Sequence, residues 1–153
     1  VPKGSIEFEQ VEPTHPDAVA LARAATEEGE RVYADLGLGP APSLAELVDA
    51  RGRILLARLG GRPIGCGALR TLGPRTAEIK RMFVVADLRG RGIGRELLVA
   101  LEGAARELDY ERVRLDTGSR QQAAIGLYRS SGYQEIRDYN AKPGADLWFE
   151  KRL

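Results

Sequence analysis

Along the chain the apolar positions switch between a period of two and a period of about 3.6, and each switch marks an element. Ile6, Phe8 and Val11 stand among Glu7, Glu9 and Glu12, as in a first strand with one buried face. Pro13-Thr14-His15-Pro16-Asp17 ends that strand and caps a helix to about Leu36, with Val19, Ala22, Ala25, Val32 and Leu36 expected on its buried side. His15, between two prolines, reads as a turn residue rather than a catalyst. After a loop of glycine and proline, Ser43 caps a short helix through Ala50, with Glu46 placed for a capping box. Arg53 to Leu59 is an apolar strand, Gly60-Gly61 a hairpin turn and Arg62 to Leu72 its partner. Gly65 and Gly67 weaken that partner and predict a bend or a close backbone neighbour.

After the turn Gly73-Pro74-Arg75, Thr76 begins a strand that runs through Met82, Phe83, Val84 and Val85. Ile93, Leu97, Leu98, Leu101 and Leu108 then keep helical spacing to near Tyr110. Arg112 to Thr117 is a strand burying Val113 and Leu115. A helix follows from Gly118-Ser119 through Ser131, carrying Ala124, Leu127 and Tyr128, and Gly132 stops it. Tyr133 to Arg137 and Leu147 to Leu153 close the chain around a polar loop, Asp138 to Asp146. The order is β-α-α-β-β-β-α-β-α-β-β in one domain over residues 1–153, after a loose lead-in from Val1 to Ser5.

The chemistry concentrates between the fourth strand and the helix after it, at Arg89-Gly90-Arg91-Gly92-Ile93-Gly94-Arg95. A strand that ends in a glycine corner and enters a helix aims several backbone N–H groups and a helix dipole at one spot, which suits a phosphate. The glycines let a pyrophosphate approach the amides and permit positive φ. The spacing is neither that of a dinucleotide fold nor of a P-loop, and a tight strand-to-helix turn is the alternative reading.

Composition narrows the class. With 153 residues, 43% hydrophobic and 29% charged, the chain has the make-up of a soluble globular domain. The net charge of +1 is spread along the chain, so no basic stripe follows a nucleic-acid backbone. No apolar run reaches membrane-spanning length and no leader is visible, so a cytoplasmic protein is expected. One cysteine, Cys66, and one histidine exclude an internal disulfide and a Cys/His metal cluster. Arginine far outnumbers lysine, a usage expected of a GC-rich bacterial genome.

The element order and the glycine corner resemble the GNAT superfamily of acetyl-CoA-dependent N-acetyltransferases. The family's corner reads Arg or Gln, two residues, Gly, one residue, then Gly or Ala, and Arg89 to Gly94 fits it. A second block, Ala124-Ile125-Gly126-Leu127-Tyr128-Arg129-Ser130-Ser131-Gly132-Tyr133, is similar to the family's later motif. The resemblance implies an α/β fold with a mixed central sheet of about seven strands and four helices. It also implies a V-shaped cleft where the fourth and fifth strands part.

In that cleft the CoA pyrophosphate would sit on the amides of Arg89, Gly90, Arg91, Gly92, Ile93, Gly94 and Arg95, with the Arg89 and Arg91 side chains flanking it. Met82, Phe83 and Val84 would line the cofactor. Val84 would bond the pantetheine arm, and the Met82 N–H would face the thioester carbonyl. Glu78 would be the general base, directly or through water; the plain alternative is a surface carboxylate paired with Lys80 or Arg81. Alternation puts Glu78 on the face of Met82 and Val84 unless a bulge shifts the phase. Tyr128 would be the general acid toward departing CoA and would also touch the cofactor; the alternative is an aromatic packed on the fifth strand. Asp116 would orient an amine or water, or cap the next helix.

Cys66 reads as a buried small residue, since direct transfer needs no acyl-enzyme. No metal is implied. The acceptor, a small-molecule or protein amine, would lie against residues 33–43 and 138–146. There Glu27, Glu28, Glu30 and Asp35 either attract a cation or form a solvated face, and Tyr139 and Asn140 either touch substrate or shape the turn. A different acyl-CoA donor and a non-catalytic CoA sensor are the competing readings; the presence of both Glu78 and Tyr128 favours an enzyme. Homodimers are frequent in the family, and no segment here demonstrates one.

Overall fold

A computed structural model describes residues 4–153, so the first three residues of the expected lead-in lie outside the described residues. Strands β1 (Ile6–Val11), β2 (Arg53–Leu59), β3 (Arg62–Gly73) and β4 (Thr76–Val84) pair antiparallel in sequence order. β5 (Arg112–Thr117), β6 (Gln134–Ile136) and β7 (Leu147–Arg152) complete a seven-stranded sheet ordered β1-β2-β3-β4-β5-β7-β6. The β4–β5 pair is parallel, and it joins the two halves. Gly60 and Gly61, both at positive φ, make the hairpin turn that β2 and β3 need.

Helix α1 (Pro16–Val32) and the short α2 (Leu44–Leu47) cover one face of the sheet; α3 (Ile93–Glu107) and α4 (Gln122–Ser130) cover the other. β2 is therefore buried on both sides, with Ile54 and Leu56 under α1 and Leu55 under α3, which is why Ile54 to Ala57 within it reads as a continuous apolar run. The main core joins Leu97, Leu98 and Leu101 of α3 to Leu69, Ile79, Val113, Leu115 and Phe149 of the sheet. Each such side chain contributes about 1.5–3 kcal/mol by leaving water.

Several boundaries and one helix face differ from expectation. α1 ends at Val32, and Ala34–Leu36 forms a separate 3₁₀ turn. Its buried stripe is Ala18, Leu21 and Ala22, while Val19, Val32 and Leu36 are exposed. Small residues at helical spacing let α1 lie close on the sheet, and the larger apolar residues point off its edge. Ser43 Oγ accepts the Glu46 N–H as expected, but the helix stops at Leu47 rather than at Ala50. α3 stops at Glu107, short of Tyr110, and α4 begins at Gln122 rather than at Gly118-Ser119. Residues 118–121 form a turn instead, held by the Asp146 carboxylate on the Ser119 N–H and Oγ–H. His15 caps α1 through Nδ1, which accepts the Asp17 N–H.

The glycines of β3 have distinct causes. A Cβ at Gly67 would lie 2.7 Å from Leu101 Cδ1, so α3 rests directly on the strand there. A Cβ at Gly65 would lie 2.7 Å from the Phe83 carbonyl oxygen, a backbone atom of the neighbouring strand. On the far side of α3, buried Glu102 takes the Tyr133 hydroxyl at 2.8 Å and Lys151 Nζ at 3.1 Å, tying that helix to β7.

Gly65→Ala is expected to destabilise the domain by about 1–3 kcal/mol, because a sheet carbonyl cannot turn aside for the new methyl. Urea denaturation of the variant beside wild type measures it; an unchanged midpoint would mean that the strands separate there at no cost.

Candidate active site

Everything at the site follows from an irregularity in β4. On β3, Cys66 stands opposite Phe83 and Ala68 opposite Lys80, so Arg81 and Met82 together face the single residue Gly67. This is a β-bulge, and Arg81 adopts it with φ +58°, a left-handed conformation that costs a residue with a side chain about 1–3 kcal/mol. The bulge inverts the alternation. Glu78 and Lys80 lie on the α1 face, whereas Met82 joins Ile79 against α3. Glu78 therefore does not share a face with Met82, contrary to unbroken alternation.

β4 also loses its other neighbour. It pairs with β5 only at Thr76, Ala77 and Glu78, opposite Arg112, Val113 and Arg114, and the strands then part. Met82, Phe83 and Val84 border the resulting cleft. On its α1 side lies a connected polar cluster. Lys80 Nζ is 2.8 Å from Asp116 Oδ2 and 3.6 Å from Glu78 Oε2. Glu78, 2% exposed, also takes the Tyr139 hydroxyl, the Asn140 amide at 3.4 Å and Arg70 Nε at 3.5 Å. Asn140 Nδ2 reaches Asp116 Oδ2 at 2.7 Å, while its Oδ1 accepts the Trp148 indole N–H at 2.9 Å. Lys142 Nζ is 3.4 Å from Asp116 Oδ1. Glu78 is thus no surface carboxylate, and Asp116 caps no helix.

The charges are mutually set. Burial alone would raise the Asp116 carboxyl, but the Lys80 hydrogen bond, the Lys142 and Lys80 charges and the Asn140 amide outweigh it, leaving its pKa below the ordinary value. Lys142 moves down, because burial, with Lys80 and Arg81 nearby, outweighs its attraction to Asp116. Tyr139 is held firmly as the neutral phenol by burial and by its bond to Glu78.

Tyr128 approaches from α4, packed at 5.9 Å against the rings of both Tyr133 and Phe149. Burial, and secondarily the Asp116 charge, pushes its phenol up to about 12. Its hydroxyl has no hydrogen-bond partner among the described residues and is not one of the sealed, unpartnered atoms. It is a proton-bearing group with its donor free.

At the end of β4, Gly90 (φ +77°) and Gly92 (φ +81°) form the corner, and a Cβ at either would meet nothing within 4 Å. They are glycines for their backbone angles, in open space. No side chain among the described residues caps α3, and its first N–H groups, from Ile93, Gly94 and Arg95, have no partner among them. At Gly94 a Cβ would touch Leu127 Cδ2 at 3.4 Å, so that glycine lets α4 pack closely.

The arginines at the corner behave differently from one another. Arg91 is exposed. Arg95 binds the hydroxyls of Ser131 and Ser130, at 3.0 and 2.7 Å. Arg89 turns away from the corner. Its guanidinium makes a two-pronged pair with Glu28 of α1 at 2.7 and 2.6 Å, its Nε–H donates to the Val84 carbonyl at 2.9 Å, and it lies over the Phe83 ring. The expectation that the Arg89 side chain flanks phosphate is not what the structure shows. Of the acids near the end of α1, Glu28 is likewise engaged and Asp35, just beyond the helix, is paired with Arg120.

Sequence reasoning named Lys80 as a partner of Glu78 but missed Arg70, Lys142 and Trp148 as members of the cluster. One signal was present: charged residues at alternate positions inside strands that are otherwise apolar, Glu78 and Lys80 in β4 and Arg112, Arg114 and Asp116 in β5. Cys66 is buried as expected, and burial lifts its thiol to about 12.

Because the Asp116 pKa is lowered on folding, its ionised form stabilises the fold above the unfolded value of about 3.9, and that contribution fades as pH falls through the folded value. Asp116→Asn is therefore expected to be less stable than wild type at pH 7, with the gap closing at acid pH below about 4. Urea midpoints of both proteins across pH 3–7 measure this, and a gap independent of pH would show that the charge is not what stabilises.

Known proteins bear on this site. The profile of the acetyltransferase (GNAT) family matches residues 15–133. N-alpha-acetyltransferase RimI of Mycobacterium tuberculosis is 33% identical over 147 residues, covering 87% of this chain and 89% of that protein. An IAA acetyltransferase of Azospirillum brasilense is 40% identical over 106 residues, covering 66% and 68%. A Klebsiella pneumoniae structure assigned to the acyl-CoA N-acyltransferases superposes with a TM-score of 0.76 at 31% identity, over 97% of each chain. With a parted β4–β5 pair, an uncapped glycine corner and a free tyrosine between them, the chain belongs to the acetyltransferase (GNAT) family.

Proposed function

We propose that the protein transfers the acetyl group of acetyl-CoA directly to a primary amine held on the α1 side of the β4–β5 cleft. The observation that carries this reading is the parting of β4 from β5 after Glu78, which leaves strand backbone without a sheet neighbour between two sets of proton-handling groups. Pantetheine, a thin chain with two amides, fits such a backbone edge. The pyrophosphate would rest on the free N–H groups of Gly92 to Arg95. The Met82 N–H would receive the thioester oxygen as charge develops on it.

The step balances simply. The amine, near pKa ~10 when free, must shed a proton before attack. Its nitrogen then bonds the acetyl carbon as the carbon–sulfur bond breaks. Glu78 takes the ammonium proton before attack, through a water or through the Tyr139 hydroxyl, and passes it to solvent; it then takes the second N–H proton, which the nitrogen gives up as the amide forms. Tyr128 gives its proton to the departing thiolate and regains one from solvent. A phenol held near 12 stays protonated throughout the working range, as a donor must. Lys80, anchored between Glu78 and Asp116, keeps both carboxylates in place.

Acetyl-CoA at about 100 times its Kd is expected to add roughly 2.7 kcal/mol of stability, which raises Tm by about 5–10 °C. CoA should share the shift and adenosine alone should not; no shift at millimolar acetyl-CoA would reduce the glycine corner to a turn. Tyr128→Phe and Glu78→Gln are each expected to lower kcat by about 10²–10⁴-fold while keeping that shift. Steady-state kinetics on any amine turned over decides the roles, and full activity in either variant would remove that residue from the chemistry.

A further inference from the structure

The α1 side of the site carries more positive charge than its own carboxylates neutralise. Arg70, Lys80 and Lys142 are all within salt-bridge distance of Glu78 or Asp116, so these two carboxylates already serve three cations. Arg81 is a fourth, and no carboxylate among the described residues lies within salt-bridge distance of it. Its Nη1 donates to Thr26 Oγ1 at 3.0 Å and its Nη2 to the Pro42 carbonyl at 2.6 Å, both neutral acceptors. A guanidinium has five N–H donors, so three remain uncommitted. Around α1, Arg89 is matched with Glu28, Arg58 with Glu9 and Asp17, and Arg120 with Asp35, whereas Arg23 on the same cleft wall has, like Arg81, no carboxylate at salt-bridge distance among the described residues.

Arg81 also stands in an unusual place. It occupies the left-handed position of the β4 bulge, next in sequence to Met82. Its side chain forms part of the wall of a cleft of about 570 Å³ between α1 and residues 41–45, with Val19, Ala22 and Pro42 as apolar lining and Arg23 as a second cation. Burial weighs against its charge, so a partly dry cation lacking a counter-ion faces an open cleft. An anion entering there would recover the missing interaction. Charge-assisted, two-pronged bonds to a guanidinium are among the stronger polar contacts available.

We propose that Arg81 is the specificity residue for the acceptor, and that the acceptor is a small amine carrying a carboxylate, of the amino-acid class. This rests on the acetyltransferase reading above and narrows its substrate. Arg81 is the chain neighbour of Met82, so a small molecule held by its carboxylate on Arg81 would carry its amine toward the place proposed for the thioester. A polyamine or a lysine-rich peptide would instead bring cations to a surface that already holds an excess of them. The apolar lining accommodates an aliphatic or aromatic side chain.

The test uses matched pairs that differ only in this charge. Free amino acids and their carboxamides are offered with acetyl-CoA, together with a short peptide and spermidine, and kcat/KM is read from CoA thiol release. The corresponding N-acetyl amino acids and N-acetyl amides, the products, are titrated onto the CoA-bound protein by melting temperature, a reading that needs no turnover. Carboxylates are expected to exceed their amides by roughly 10- to 100-fold in both readings. Arg81→Gln should bring that ratio close to one, and Arg81→Lys should restore part of it.

A purely structural Arg81 would lower both members of each pair alike and leave the ratio intact, which would overturn the assignment. Equal use of acids and amides by wild type, or preference for the peptide or spermidine, would overturn it too while leaving the acetyltransferase reading standing. Absence of all turnover alongside a carboxylate-selective product shift that Arg81→Gln abolishes would sink the enzyme reading and keep the binding assignment. Absence of turnover with no such selectivity would sink both.

Discussion

A parallel pair of strands that ceases to pair after three residues is the constraint on which the rest of this molecule depends. Backbone N–H and C=O groups must find partners, and a sheet normally supplies them along its whole length. Here β4 and β5 share a ladder only from Thr76 to Glu78. The two half-sheets are instead held together by side chains, above all by α3, whose Leu97, Leu98 and Leu101 pack on the core of both halves. Glu102, with Tyr133 and Lys151, fastens that helix to β7. The opening is therefore built into a packed structure rather than produced by loose packing.

The bulge at Arg81 distributes the chemistry around this opening. By shifting the phase of β4, it sends Glu78 and Lys80 toward the α1 side and Met82 toward α3. The polar cluster that includes Asp116, Asn140 and Tyr139 thus collects on one side of the cleft, and Tyr128 reaches it from the other. Gly67 makes the arrangement feasible, since a side chain there would collide with Leu101 where the strand changes phase. Glu78 and Tyr128 end up on opposite sides of one gap, the arrangement that the proposed roles of proton acceptor and proton donor at a single carbon would use.

Much of this was legible in the sequence because it is locally encoded. The place of the glycine corner between strand and helix, the Gly60-Gly61 hairpin and the Ser43 cap depend on residues within a few positions of one another, and each stands where the sequence puts it. What was missed depends on distant partners. Arg89 meets Glu28 across 61 positions, Lys80 meets Asp116 across 36 and Tyr139 meets Glu78 across 61. No local rule puts an arginine in a left-handed bulge, so the phase of β4 could be posed only as a condition. On α1, Ala22 goes under as expected, but its buried companions are Ala18 and Leu21, while Val19, Val32 and Leu36 stay out.

The parted strands also amount to an edge that faces inward. Exposed sheet edges invite other chains to add themselves and propagate, and proteins guard against this with charges, prolines or bulges. In this molecule the free edges of β4 and β5 lie in a recess, with helices on one side and the 138–146 loop with its ion pairs on the other. A second sheet cannot dock there. A single slender chain bearing its own amides can, so an edge that would elsewhere recruit another sheet is here shaped for one extended ligand such as the proposed cofactor arm.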